Sequence, residues 1–137
     1  MDVEVSFPSS TLIRACSQGL TVEIGPPPDR GGDPDAYGPF NMLLCGLATC
    51  TGFMVLDFLV ERKLPTAGAG LRIEAERSGD THLLEHVSIE IKVPEGFPDK
   101  YRDAIVRAAG RCPVKAQLGV TPEFKVSVGA DPEAAVT

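Results

Sequence analysis

The chain has 137 residues, 43% hydrophobic and 23% charged, which is the length of one domain with enough apolar side chains for a core. A formal net charge of −6, no Trp and no Lys/Arg run argue against a surface that stacks bases or grips phosphates, so nucleic acid and anionic membrane are poor partners. The start, Met1-Asp2-Val3-Glu4, lacks a basic segment followed by an apolar run, and a cytoplasmic location is expected.

Four cysteines in a reducing compartment read as free thiols, metal ligands or catalytic groups rather than a disulfide frame. Cys16, Cys45, Cys50 and Cys112 contain no C-x-x-C pair, and only His82 and His86 could join them. That spacing matches no common zinc pattern, and no metal or cofactor is expected.

Residues 3–24 alternate apolar and polar, with Val3, Val5 and Phe7 on one face, a turn signal at Pro8-Ser9-Ser10, then Leu12 and Leu20, Val22, Ile24. This predicts two or three antiparallel strands. Residues 25–38, GPPPDRGGDPDAYG, hold four Pro and four Gly and predict a long loop, either functional or a plain connector.

From Pro39 the pattern becomes helical, with the proline in the first turn, where its missing N–H costs nothing. Ala36 to Leu56 carries no charge. A membrane span needs about 20 apolar residues, but Asn41, Gly46, Thr49, Thr51 and Gly52 dilute the stretch and Asp57 interrupts it. A central core helix, enclosed by sheet and by a second subunit, is the better reading. Gly46, Ala48 and Gly52 would let another backbone approach closely.

Lys63-Leu64-Pro65 ends the helix. Leu71, Ile73 and Ala75, then Val87, Ile89, Ile91 and Val93, alternate with polar residues about a turn at Ser78-Gly79-Asp80. They predict an antiparallel hairpin with one wet face. A second helix opens at Phe97-Pro98-Asp99 and breaks near Gly110. A short third helix follows Cys112-Pro113 and ends at Gly119. Phe124, Val126 and Val128 predict a last strand, and 130–137 a loose acidic tail. The order predicts a single α+β domain over 1–137, built on antiparallel sheet.

Cys45 and Cys50 both sit in the apolar helix, and local sequence does not separate them. A buried cysteine is usually an inert hydrophobe. Cys112 differs, because it opens a helical turn whose unpaired N–H groups, with Arg111 and Lys115 nearby in sequence, favour a thiolate. His82 and His86 flank the hairpin and read as surface residues, and Asp57 reads as a solvent-facing or interface residue.

The segment GPFNMLLCGLATCTGFMVLDFL, with a cysteine eleven residues after Pro39, and the segment RCPVKAQL resemble the two cysteine motifs of the OsmC/Ohr superfamily. The resemblance spans roughly residues 12–128. It implies an OsmC-like α+β fold, antiparallel sheets wrapped around a long central apolar helix in an intertwined homodimer. It also implies a thiol peroxidase that reduces organic hydroperoxides. Cys50 would be the attacking thiolate and Cys112 the resolving thiol, with an external dithiol as reductant. Arg14, with Arg30 as fallback, would be the activating arginine, and Phe40, Asn41 and Phe53 would line the pocket. The peroxidases carry a glutamate one or two residues after the helix-start proline, where this chain has Phe40 and Asn41. Without a well-held arginine, an apolar helix raises a thiol's pKa. Reduced peroxidase activity is therefore expected. Two alternatives stay open, a member that binds a small apolar ligand in the dimer cleft and a redox sensor.

Overall fold

The computed structural model describes residues 1–129. Three short strands come first, β1 (Glu4–Ser9), β2 (Leu12–Ser17) and β3 (Leu20–Ile24), paired antiparallel in the order β1-β2-β3. Pro8 lies inside β1 rather than in the turn, where the β1–β2 register shifts between Ser6 and Ser9. Such an irregularity is where a strand tolerates a residue with no N–H. Gln18 and Gly19 both take positive φ, 46° and 84°, the backbone that joins twisted strands through two residues.

The Pro/Gly segment contains one short turn of 3-10 helix, Pro28–Arg30, and leads into α1 (Pro39–Glu61). Pro39 occupies the first turn, and the Asn41 side chain reaches back to accept the Gly38 N–H at 2.9 Å, which caps the helix. β4 (Gly70–Arg77) and β5 (Leu84–Lys92) form the expected hairpin. Its register sets Leu71 against Ile91, Ile73 against Ile89 and Ala75 against Val87, so the apolar alternations share one face. Asp99–Tyr101 then form a 3-10 turn, followed by α2 (Arg102–Ala109) and α3 (Pro113–Leu118).

The core forms where α1 meets α2 and the hairpin. Val55, Phe58, Leu59, Phe97, Ile105 and Ala109 are buried together, with Leu71, Ile91, Val93 and Tyr101 packed around them. Phe58 and Tyr101 meet edge to face at 5.9 Å, and the Arg62 guanidinium lies 3.6 Å from the Phe58 ring centre.

α1 is long and apolar enough to cross a membrane, but it is a core helix of an α+β body. Leu47, Thr51, Val55, Phe58 and Leu59 form one stripe at helical spacing, buried on the chain's own elements. The enclosure is one-sided within the chain, since Leu43, Phe53, Leu56 and Val60 stay exposed. Of the small residues, Gly52 meets the side chain of Leu71, 3.8 Å from where its Cβ would stand, while Gly46 meets nothing within 4 Å.

The strand expected at Phe124, Val126 and Val128 does not form. Residues 121–129 are irregular, and Val126 and Val128 are 97% and 99% exposed. A strand is made by a neighbouring edge, and this segment lies along none. The expected acidic tail, 130–137, lies outside the described residues.

Candidate functional site

α1 and α3 touch, and the contact brings Cys50 and Cys112 together. Both are free thiols. Cys112 is the residue before α3, its side chain 0% exposed. Its Sγ accepts the Lys115 N–H at 3.5 Å, and Pro113 in the first turn supplies a fixed φ and needs no partner. Cys50 lies beside the buried stripe of α1 and remains partly exposed.

The two sulfurs are not equivalent. Burial pushes the Cys112 thiol up, but the neighbouring Cys50 S–H, Lys115 N–H, Thr51 hydroxyl and Val114 N–H favour the thiolate, and the net result falls below the ordinary thiol value. For Cys50 the shift is upward. Its S–H is held by Cys112, and burial and the neighbouring negative charge add to this against the opposing Val114 N–H. The reduced pair therefore ionises more readily at Cys112 than at Cys50.

The other thiols lie elsewhere. Cys45 is exposed and neighbours the Tyr37 hydroxyl, whose pKa is raised by desolvation first and by Cys45 second. Cys16 sits on β2 opposite Thr21, Sγ to Oγ1 3.4 Å. The ambiguity between Cys45 and Cys50 is thus resolved in space, because only Cys50 faces Cys112.

Arg14 is engaged by Glu23 across β2 and β3, with Nε and one terminal nitrogen at 2.8 and 2.6 Å from the same carboxylate oxygen. Within the chain it is not brought to Cys50. Arg30 lines a cavity of about 360 Å³ at the start of α1, together with Phe40, Asn41, Tyr37 and Arg77. This cavity lies nine to ten residues before Cys50, roughly 15 Å along the helix. Phe53 is exposed and does not line this cavity.

The Asn41 carboxamide oxygen is occupied by the Gly38 N–H. Over Phe40 lies Arg77, its guanidinium 3.9 Å from the ring centre and its Nε donating to the His82 carbonyl at 2.7 Å. Neither Arg77 nor Thr51 is marked as a site residue by a sequence motif. Thr51 was legible, four residues from both Leu47 and Val55 on one helical stripe. Arg77 was not, since only the return of β4 toward the start of α1 brings it there.

A family model described as OsmC-like protein matches residues 32–127. No curated protein matches the chain in sequence. Among solved structures it is similar to a Psychrobacter arcticus protein provisionally assigned to osmotic stress induction and detoxification response, at 20% identity and a TM-score of 0.71, with 88% of each chain covered. It is also similar to an OsmC-like protein from Mycoplasma pneumoniae, at 19% identity, TM-score 0.60 and 86% of each chain. A third is an organic hydroperoxide resistance protein OsmC from Legionella pneumophila, at 14% identity and TM-score 0.56, with 85% of this chain and 87% of that one covered. At such identities the structural likeness is one of fold, and the family model supplies the membership. With both cysteine segments inside the matched span and its α+β architecture shared with these structures, the chain belongs to the OsmC-like family.

Proposed function

We propose that the chain reduces organic hydroperoxides through the Cys50/Cys112 dithiol. The observation that carries this reading is the contact of two free thiols, one partly exposed and one fully buried, brought from distant parts of the sequence. The hydroperoxide resistance assigned to the Legionella relative supports it.

Cys50 is the reachable sulfur and makes the first attack. Its proton passes to Cys112, the Cys50 thiolate attacks the terminal oxygen of the hydroperoxide, and the O–O bond breaks. Cys50 becomes a sulfenic acid and the leaving alkoxide takes a proton from solvent as the alcohol. The Cys112 thiol then displaces hydroxide from the Cys50 sulfur, forming the disulfide and one water, before further oxidation can occur. An external dithiol restores the pair. The reaction belongs in a reducing compartment, the cytoplasm, where four free thiols persist.

A homodimer belongs to this reading. Phe7 and Leu20 on the first sheet and Phe53 and Val60 on α1 are exposed, and a second copy would cover them. The same association would bring a cation, Arg14 or Arg30, to the thiol from the other chain. A second reading, small-ligand binding, rests on the cavity at the start of α1, where Phe40, Asn41 and Arg77 stand and the peroxidases' glutamate does not.

The deciding experiment is anaerobic single-turnover exposure of the reduced protein to one equivalent of cumene hydroperoxide, following free thiols and intact mass. Loss of two thiols within seconds, absent in Cys50→Ser and Cys112→Ser, is the expected result. No thiol loss over minutes would sink the peroxidase reading and leave the cavity as the functional feature.

A further inference from the structure

α1 carries two threonines beside Cys50, and their hydroxyls go to different places. That of Thr49 donates back along the helix to the carbonyls of Cys45 and Gly46, at 3.0 and 3.1 Å, the usual outlet for a threonine inside a helix. Thr51 has no such bond. It is 0% exposed, and its hydroxyl meets no hydrogen-bond partner of ordinary geometry among the described residues. An unpaired buried hydroxyl is costly, and the Leu47 carbonyl one turn back stands where the Cys45 carbonyl serves Thr49.

What the Thr51 hydroxyl neighbours instead is the Cys112 sulfur, itself buried to 0% exposure. The groups beside that sulfur are Cys50 and Thr51 on α1 and the N–H groups of Val114 and Lys115 on α3, of which Lys115 donates to it. None carries a full positive charge. A thiolate in this place is held by dipoles alone, and each donor counts for more than it would in water.

We propose that Thr51 is a positioning residue for the redox pair: its hydroxyl donates to the Cys112 sulfur when that sulfur is a thiolate, and loses its acceptor when the sulfur enters a disulfide with Cys50. Thr51 thereby favours the reduced pair and makes the disulfide a stronger oxidant. The disulfide takes two electrons and two protons from an external dithiol, which leaves as its own disulfide, and one proton is released again as Cys112 ionises. The proposed bond rests on the burial of an unpaired Thr51 hydroxyl and of the Cys112 sulfur where α1 meets α3, and its redox consequence rests on the dithiol reading above.

The test is the pH titration of the Cys112 β-carbon NMR shift in reduced, cysteine-labelled protein, in Thr51→Val, Thr51→Ala and Thr51→Ser. Val and Ala should move the midpoint up by about one pH unit, a tenfold fall in thiolate at fixed pH below it. Ser, which keeps the hydroxyl, should titrate with the natural protein. Equilibration with glutathione should show the Val and Ala disulfides about tenfold harder to reduce above the midpoint, with Ser unchanged. If Val does not fold, Ala, which only removes atoms, gives the same reading. Val and Ala titrating with the natural protein, or Ser shifting as far as they do, would overturn the role of the hydroxyl. The titration needs no peroxide, so failure of peroxide turnover removes the proposed function and leaves this result standing, and the converse also holds.

Discussion

Cys112 opens α3, its sulfur accepting the Lys115 N–H at 3.5 Å, and the same sulfur neighbours Cys50 of α1, so it serves both as a cap and as a partner. The thiol of the buried member is lowered in pKa and that of the partly exposed member is raised. In the proposed reaction, attack through Cys50 would begin with a proton moving between the two sulfurs, with Cys112 first a base and then the resolving thiol.

The pair should be separable by oxidation chemistry. In Cys112→Ser the sulfenic acid at Cys50 has no resolving thiol, and excess hydroperoxide should carry it to sulfinic and sulfonic acid, visible as added oxygens in the intact mass. In Cys50→Ser the buried Cys112 should stay unmodified over the same time. Oxygen addition at Cys112 in that variant would reverse the assignment of roles.

Stability of the reduced protein should follow the lowered Cys112 pKa. The folded state holds a thiolate where the unfolded chain still holds a thiol, so the unfolded state binds more protons and stability rises with pH between the folded value and the ordinary thiol value near 8.5. The Cys112 gain is complete at the top of that range and is lost as pH falls through the folded pKa, while the raised Cys50 pKa sets an opposing loss at higher pH. Denaturation midpoints of the natural protein minus those of Cys112→Ser, measured across this range, should therefore widen with pH. A difference that is flat or narrows contradicts the charge placement.

Asn41→Glu tests the start of α1. The longer carboxylate keeps a back-bonding acceptor for the Gly38 N–H and adds negative charge at a helix N-terminus, which is worth about 0.3–1 kcal/mol. It also places a carboxylate in the cavity lined by Arg30 and Arg77. Chemical denaturation should show the gain, and single-turnover thiol loss should be faster than in the natural protein. Asn41→Ala should lose about 1 kcal/mol by removing the acceptor.

Arg14 and Glu23 form an exposed ion pair, each side chain about 45% accessible. Exposed pairs contribute about 0–1 kcal/mol, so Arg14→Ala should barely move the denaturation midpoint. If Arg14 reaches the thiol of a second copy, the same variant should slow Cys50 oxidation about tenfold, the effect of one pKa unit. An unchanged rate would pass that role to Arg30.

The core makes a plainer demand. Leu59 and Ile105 are 1% and 2% exposed in one cluster of α1 and α2. Truncating either to Ala should cost about 2–5 kcal/mol by denaturant titration. Val60→Ala, on the exposed side of the same helix, should cost far less in a monomer. A loss at Val60 that depends on protein concentration would point to a covering subunit.

The sequence by itself determined the elements and their faces. Pro39 and the charge-free run marked α1, the period-two runs of residues 71–93 marked the hairpin and its inner face, and Cys112-Pro113 marked the start of α3. These are local matters, since backbone restriction and side-chain periodicity act over a few residues. Only the tertiary structure decided what stands opposite each face. Periodicity does not say that Cys50 rather than Cys45 meets Cys112, that Glu23 takes Arg14, that Asn41 spends its oxygen on Gly38, or that Arg77 returns over Phe40. The alternation at Phe124, Val126 and Val128 shows the limit from the other side, because a strand pattern becomes a strand only when another edge supplies the missing hydrogen bonds.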